Sequence, residues 1–186
     1  MEKNLSFRMI GVMLLITVVS GMILAGVWAA SEQKIEQNME QVKLEAMQSL
    51  NPTMAKNELT QKEGESLYKC YDQDGSLISY FFIAIGNGFQ APVKVAVAVD
   101  PSFKEVNGIR VLEQSETPGL GAKITENDFY DNFVKLLIAA NPITCIKGDA
   151  KKDNGEIKAI TSATISSKAV ADLINVKIAS LRKAGF

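Results

Sequence analysis

The chain has 186 residues and a formal net charge of −1, from 20 Lys and Arg residues against 21 Asp and Glu residues. It lacks the basic stripe that a nucleic-acid-binding face requires. It also contains no histidine, which excludes Ser-His-Asp triads, imidazole general bases and histidine-ligated metals. We therefore predict no nucleic-acid partner, no metal site and no independent catalytic residues.

The N-terminal part of the sequence predicts a membrane anchor. Residues 9–30 are uncharged and predominantly apolar, and about 20 such residues in a helix span the hydrocarbon core of a bilayer. Residues 1–8 carry Lys3 and Arg8, so the positive-inside rule predicts a cytoplasmic N-terminus and an extracytoplasmic main domain. We expect a single-pass protein of the cell (inner) membrane. The alternative is a cleaved signal peptide ending near Ala29-Ala30.

A helical stalk and a connection are predicted for residues 31–66. Residues 31–50 favour a helix and contain neither Pro nor Gly, and Asn51-Pro52 ends this stretch. Its apolar residues, which include Met47, could rest against the domain or a partner, or the stretch could be a solvated stalk. The polar residues 56–66 resemble an exposed connection, which places the start of the globular domain near residue 67.

Short strands dominate the next part of the sequence. Residues 68–71 and 77–85 are prone to form strands and flank the turn-forming residues 72–75, which predicts a hairpin. Residues 92–100 alternate valine with other residues, the pattern of a strand with one apolar face. Residues 106–113 predict a further strand, and the short connections favour an antiparallel sheet.

The C-terminal part adds helices. Apolar residues at helical spacing predict a helix over residues 128–140, ended by Asn141-Pro142. A short strand is predicted at 156–160, and a final helix with one apolar face at 166–183. The predicted fold class is thus α+β: one N-terminal transmembrane helix, then a single domain at 67–186 with a small, mainly antiparallel sheet and flanking helices.

The two cysteines, Cys70 and Cys145, are too far apart in the sequence for a CxxC motif. They are also too few to hold a metal cluster. Packed thiols and a single disulfide are both compatible with the sequence, because oxidation depends on the compartment.

The first unusual segment is Ser115-Glu116-Thr117-Pro118-Gly119-Leu120-Gly121. Proline fixes one backbone angle and the two glycines permit conformations that other residues avoid, so this loop can approach a ligand closely. A tight turn between a strand and a helix would have the same composition.

The second unusual segment is Thr161-Ser162-Ala163-Thr164-Ile165-Ser166-Ser167, directly before an amphipathic helix. Hydroxyl side chains at this position can cap the free amides of a first helical turn. The same amides and the positive end of the helix dipole can instead bind a phosphate. No activating base for Thr164 is recognisable, which disfavours a hydrolase that uses this hydroxyl as nucleophile.

These two segments, together with Gly86-Asn87-Gly88-Phe89 and the strand at 92–100, resemble the FMN-binding domain family. Within that family the resemblance is to the G subunit of Rnf complexes, which are ferredoxin:NAD oxidoreductases coupled to movement of Na⁺ or H⁺. The resemblance implies FMN joined by a phosphoester to Thr164 through the action of a flavin transferase. Ser162 stands where the family most often has glycine, and Lys158 stands where an acidic residue often occurs.

The resemblance also implies the other site residues and the partners. The expected cofactor-binding residues are Thr161, Ser162, Ala163, Thr164, Glu116, Thr117, Gly119, Leu120, Gly121, Gly86 and Gly88. The flavin would relay electrons while the protein holds it and tunes its potential, with no independent catalytic activity. The expected partners are the membrane and the other membrane and peripheral subunits of the Rnf complex, including a second flavin subunit.

Two alternatives stay open at this point. One is the flavin subunit of a Na⁺-translocating NADH:quinone oxidoreductase or of another extracytoplasmic electron-transfer chain, which shares the flavin motif and the anchor. The other is a non-redox membrane-anchored binding module, in which the hydroxyl-rich turn is only a helix cap and the glycine loop only a turn.

Overall fold

The computed structural model describes residues 2–139 and 141–186. Its first element is a helix, α1, over Glu2–Leu50. From Phe7 onward this helix contains a stretch apolar enough to cross a membrane, and its apolar side chains, Trp28 among them, are exposed. Two compact units divide the chain: the first ends at Val42, and the second is Lys43–Phe186.

The second unit is built on a six-stranded sheet in which sequential strands are neighbours. All of its strand pairs are antiparallel. The strands are β1 (Lys56–Lys62), β2 (Glu65–Tyr71), β3 (Leu77–Asn87), β4 (Pro92–Val99), β5 (Glu105–Glu113) and β6 (Leu136–Leu137). A second sheet pairs β7 (Thr144–Ile146) with β8 (Glu156–Lys158) in parallel. The predicted mainly antiparallel sheet is therefore confirmed.

The described part of this unit also contains the α-helices α2 (Asn127–Tyr130) and α3 (Thr164–Lys183), and 3₁₀ helices at Gly121–Thr125, Asp131–Phe133 and Lys152–Asn154. Buried side chains of α3, such as Val170 and Ile174, join the larger core cluster. The odd-numbered valines of β4, Val93 to Val99, belong to the same cluster. Successive side chains of a strand point to opposite faces, so α3 covers one face of the sheet.

The other face of the sheet is also covered. Met47 is fully buried in a second cluster that contains Ala96, Cys70 and Phe81. Residues 43–50, the last two turns of α1, thus pack on the domain. The prediction of a single apolar face for residues 92–100 was therefore incomplete, because Ala96 and Ala98 are buried as well.

Two further predictions from the sequence differ from the structure. Residues 56–62, predicted as an exposed connection, form β1, the edge strand of the sheet. The helix predicted over 128–140 was wrong: α2 is followed by a 3₁₀ turn at Asp131–Phe133, and β6 then pairs with β5. Phe129, Phe133 and Leu136 are buried as expected. Ala140, the last residue of that predicted helix, lies outside the described residues.

The alternatives for the cysteines are also resolved by the structure. Cys70 is a buried free thiol and Cys145 a partly buried one. The Asn51 amide donates to the Cys70 sulfur over 3.9 Å, and the Ser79 hydroxyl donates to Asn51 Oδ1 over 2.5 Å. Cys70 therefore belongs to the contact between the end of α1 and the sheet.

Candidate functional site

Three connecting segments of the domain meet at a cavity of about 230 Å³. One is the turn between β3 and β4, one is the loop after β5, and one is the turn before α3. The residues that line the cavity are Phe89, Glu116, Thr117, Leu120, Gly121, Thr161, Ser162, Ala163, Thr164, Ile165 and Ser166. The fold thus brings together the two unusual segments of the sequence.

Glu116 connects the three segments. Its side chain is 4% exposed. The backbone N–H groups of Phe89 and Gln90 donate to its Oε1 over 2.7 and 3.0 Å. The Ser166 hydroxyl, in the first turn of α3, donates to its Oε2 over 2.6 Å. One buried carboxylate therefore holds the walls of the cavity in place.

The hydrogen bonds of Glu116 also set its charge. Burial raises the pKa of the Glu116 carboxyl, but the bonds from Ser166 and from the backbone amides of Gln90, Phe89 and Ala91 outweigh this effect. The pKa of Glu116 is consequently lower than the usual value of a glutamate, because hydrogen bonds to the charged form favour that form. Glu116 is a fixed negative charge at neutral pH.

The N-terminus of α3 presents hydroxyls and amides to the cavity. Helix α3 begins at Thr164, and its N-cap residue, Ala163, makes no side-chain cap hydrogen bond. The first main-chain bond at this end joins the Ser167 N–H to the Ala163 carbonyl, so the amides of Thr164 to Ser166 precede the helical hydrogen-bond ladder. Such an end favours an anion.

The hydroxyl-rich segment divides into two groups. Ser166 donates to Glu116, and Ser167 donates to the Ala163 carbonyl and accepts from the Ile160 N–H. The hydroxyls of Thr161, Ser162 and Thr164 have no hydrogen-bond partner among the residues that the structure describes, and they line the cavity. In the structure, these three hydroxyls therefore do not cap the helix.

Two glycines leave room for the Glu116 carboxylate and its hydrogen bonds. A Cβ atom on Gly121 would lie 2.6 Å from Glu116 Oε2 and 2.8 Å from the Ser166 hydroxyl oxygen. A Cβ on Gly88 would collide with Glu116 Oε1 and would lie 2.9 Å from the Ala91 carbonyl oxygen. Both positions require glycine because the carboxylate occupies the space of a side chain.

We expect Gly121→Ala to destabilise the domain by about 1–3 kcal/mol, the usual cost of an added methyl group in a well-packed site. The new methyl group would push Glu116 away from Ser166 and open the cavity. The measurement is urea unfolding of the purified chain.

Gly148→Ala is the matched control, since a Cβ on Gly148 would meet nothing within 4 Å. Equal unfolding curves for the two variants would contradict the role assigned to Gly121.

The lowered pKa of Glu116 predicts a pH dependence of stability. A carboxyl whose pKa is lower in the folded state contributes stability that is complete above its unfolded pKa of about 4.3. This stability is lost as the pH falls through the folded pKa. In unfolding measured between neutral and acid pH, Glu116→Gln should therefore lose less stability than the parent chain. Glu65 and Asp100, whose pKa values are also lowered, would contribute to the slope that persists.

Not every residue predicted for the site lines the cavity. Gly86 lies under α3, where a Cβ would be 2.9 Å from Leu173 Cβ. Gly88 acts through Glu116, and Gly119 has a positive φ of 75° that suits a turn. Ile165 and Ser166 also line the cavity but were not predicted as site residues, although Ser166 belongs to the hydroxyl-rich segment 161–167.

The sequence is similar to that of known proteins. The FMN-binding domain family matches residues 88–179, a range that contains all three segments of the cavity. The G subunit of the ion-translocating oxidoreductase complex of Methanosarcina acetivorans is 30% identical over 176 residues, which cover 90% of each chain. The G subunit of the proton-translocating ferredoxin:NAD(+) oxidoreductase complex of Clostridium ljungdahlii is 27% identical, over 91% of this chain and 88% of that protein.

A solved structure resembles the fold. The crystal structure of the C subunit of the Na(+)-translocating NADH-quinone reductase from Parabacteroides distasonis matches with a TM-score of 0.65 at 20% identity. The match covers 83% of this chain and 96% of that chain.

Proposed function

Because this chain belongs to the family of G subunits of ion-translocating oxidoreductase complexes, we propose that it carries FMN covalently, as a phosphoester on Thr164. The chain is an electron-carrier flavin subunit of such a complex. The observation that carries the proposal is the position of the Thr164 hydroxyl. It lies at the first residue of α3 and lines the cavity.

A phosphoryl group on Thr164 suits its surroundings. Helix α3 is 20 residues long, so its N-terminus carries a full helix dipole. The amides of Ile165 and Ser166 follow the hydroxyl directly and can donate to phosphoryl oxygens. The side chain of Ala163 is small and leaves room beside them.

The cavity fits part of a flavin nucleotide. Its volume of about 230 Å³ is below the range of about 300–1,000 Å³ for sites that enclose a drug-sized ligand. Two further cavities adjoin it. One of about 360 Å³ shares Thr161 and Ser162, and one of about 430 Å³ shares Ile165. When bound, FMN would supply electron transfer, while the chain holds and orients it and excludes water from one side.

A phosphoester is useful for a carrier that faces water. A cofactor held only by weak contacts would be lost by dilution, whereas a covalent bond keeps it at high effective concentration. Thr161 and Ser162 could donate to the same phosphoryl group, because their hydroxyls line the same cavity.

The complex we favour is a ferredoxin:NAD oxidoreductase of the Rnf type. In support, this chain aligns along about nine-tenths of both G-subunit relatives described above. The proposed partners are the other membrane and peripheral subunits of that complex, a second flavin subunit, and a flavin transferase for maturation. Copurification of these subunits with the tagged chain from its native membrane would test this assignment. Copurification with a NADH:quinone oxidoreductase would contradict it.

We also propose the orientation in the membrane. Lys3 and Arg8 precede the apolar stretch of α1, which favours a cytoplasmic N-terminus and an extracytoplasmic flavin domain. Alkaline phosphatase, which is active only outside the cytoplasm, should be active when fused after Phe186. An inactive phosphatase, together with fluorescence from a cytoplasmic reporter fused at the same position, would show the opposite orientation.

The central test is intact mass and in-gel flavin fluorescence of the denatured chain, coexpressed with a flavin transferase. We expect a mass increase equal to FMN less one water, located on the peptide that contains Thr164. An unmodified mass under these conditions would contradict the covalent linkage. It would favour a non-redox binding module if the folded chain also held no flavin.

A further inference from the structure

Glu116 gives the cavity a net negative charge. It is the one charged residue among those that line the cavity, and its lowered pKa keeps it ionised at neutral pH. Both carboxylate oxygens already accept hydrogen bonds, Oε1 from two backbone amides and Oε2 from Ser166. Glu116 is therefore a poor hydrogen-bond acceptor for a ligand, but its negative charge still repels a ligand anion.

This charge lies beside the place where an anion would bind. Ser166 is the third residue of α3, and its hydroxyl oxygen is 2.6 Å from Glu116 Oε2. The free amides of the same helical turn are within about one helical pitch, roughly 5 Å, of that contact. The helix terminus thus attracts an anion while Glu116 repels it.

Among the described residues, the cations that line the two adjoining cavities are accompanied by equal numbers of carboxylates. The adjoining cavity that shares Thr161 and Ser162 contains two lysines, Lys123 and Lys158, and two carboxylates, Glu126 and Asp128. Their formal charges cancel. In the other adjoining cavity, Lys168 pairs with Asp172 over 3.4 Å.

The charge of the phosphate distinguishes free FMN from attached FMN. A phosphomonoester carries a charge of about −1.5 to −2 at pH 7. Esterification to Thr164 would convert it into a phosphodiester with a single negative charge. A fixed carboxylate within the same turn therefore disfavours the free mononucleotide more strongly than the attached one.

We propose that Glu116 makes this cavity selective for a singly charged phosphodiester over the doubly charged phosphate of a free mononucleotide. Glu116 is then a specificity-determining residue, and the covalent bond is what retains the flavin. This inference rests on the proposed function, since it concerns the same phosphoryl site. It can nevertheless be measured on the unmodified chain.

The test is fluorescence titration of the full chain, purified in detergent from cells without a flavin transferase, with FMN and with riboflavin. Glu116→Gln keeps the size of the side chain and removes its charge. We expect FMN to bind this variant about tenfold more tightly than the parent chain at low salt. Riboflavin, which lacks the phosphate, should bind both proteins equally.

Two variants serve as controls. Glu116→Asp keeps the charge and should bind FMN as weakly as the parent chain. Glu58→Gln changes the net charge equally at an exposed position on β1, and it should leave FMN binding unchanged.

Equal affinity of FMN for the parent chain and Glu116→Gln, including no measurable binding to either, would overturn the inference. An equal gain in riboflavin affinity would overturn it as well, because the effect would then be structural. The proposed function fails separately, if coexpression with a flavin transferase leaves Thr164 unmodified.

Discussion

A Thr164→Ala chain coexpressed with a flavin transferase is expected to carry no covalent flavin, a complete loss relative to the parent chain. The variant lacks the oxygen that would be esterified, and no other hydroxyl occupies the first position of α3. The measurement is the intact mass of the denatured protein together with in-gel fluorescence. Retention of the full FMN mass would show that another residue is the acceptor.

The structure predicts that this variant folds. Thr164 makes no cap hydrogen bond, so the loss of about 1 kcal/mol that follows removal of a capping side chain does not apply. The unfolding midpoint should therefore stay close to that of the parent chain, and absence of flavin cannot be ascribed to misfolding.

Two matched variants sharpen the result. Thr164→Ser keeps a hydroxyl at the same position and should retain covalent flavin. Thr161→Ala removes a hydroxyl that lines the same cavity but lies outside the helix, and it should also retain the flavin. Loss of flavin in Thr161→Ala with retention in Thr164→Ala would move the acceptor to Thr161.

Much of the site was predictable because its chemistry lies in contiguous segments. The loop at 115–121 and the turn at 161–167 each have an unusual composition, and the structure joins them at one cavity. The roles of the glycines were not predictable, because they depend on tertiary contacts. Only the folded chain shows that Gly121 makes room for Glu116 and that Gly86 makes room for Leu173.

The strands of the sheet were predictable where the side chains alternate and the turns are short. Prediction failed where the spacing of apolar side chains along the sequence did not match the secondary structure that the segment forms. Residues 128–140 have helical spacing of apolar side chains, but Leu136 and Leu137 pair with the edge of β5. Sheet hydrogen bonds and burial of Leu136 outweigh a helical propensity that is weak in itself. Residues 56–62 are polar because β1 is an exposed edge strand.

The sequence alone did not determine whether the end of α1 packs on the domain. Its apolar residues were compatible with a solvated stalk or with packing on the domain. The structure has room for packing because the residues beneath are small: Ala96 belongs to the Met47 cluster, and a Cβ on Gly108 would be 3.0 Å from Leu50 Cδ2. The sequence contains these small residues but does not show what lies above them.

Met47→Ala is accordingly expected to destabilise the domain by about 2–5 kcal/mol, the range for truncation of a fully buried Met, Leu or Ile side chain. Met47 is 0% exposed, so its removal leaves a cavity between α1 and the sheet. Urea unfolding of the full chain in detergent would measure this loss. Leu44→Ala is the control on the same helix, since Leu44 is 44% exposed, and it should cost less than about 1 kcal/mol.

The same pair of variants tests whether the helix end belongs to the folding unit of the domain. If residues 43–50 were a solvated stalk, Met47→Ala and Leu44→Ala would both have small effects. A large effect of Met47→Ala alone would mean that the chain leaving the anchor is fixed to the flavin domain through buried contacts.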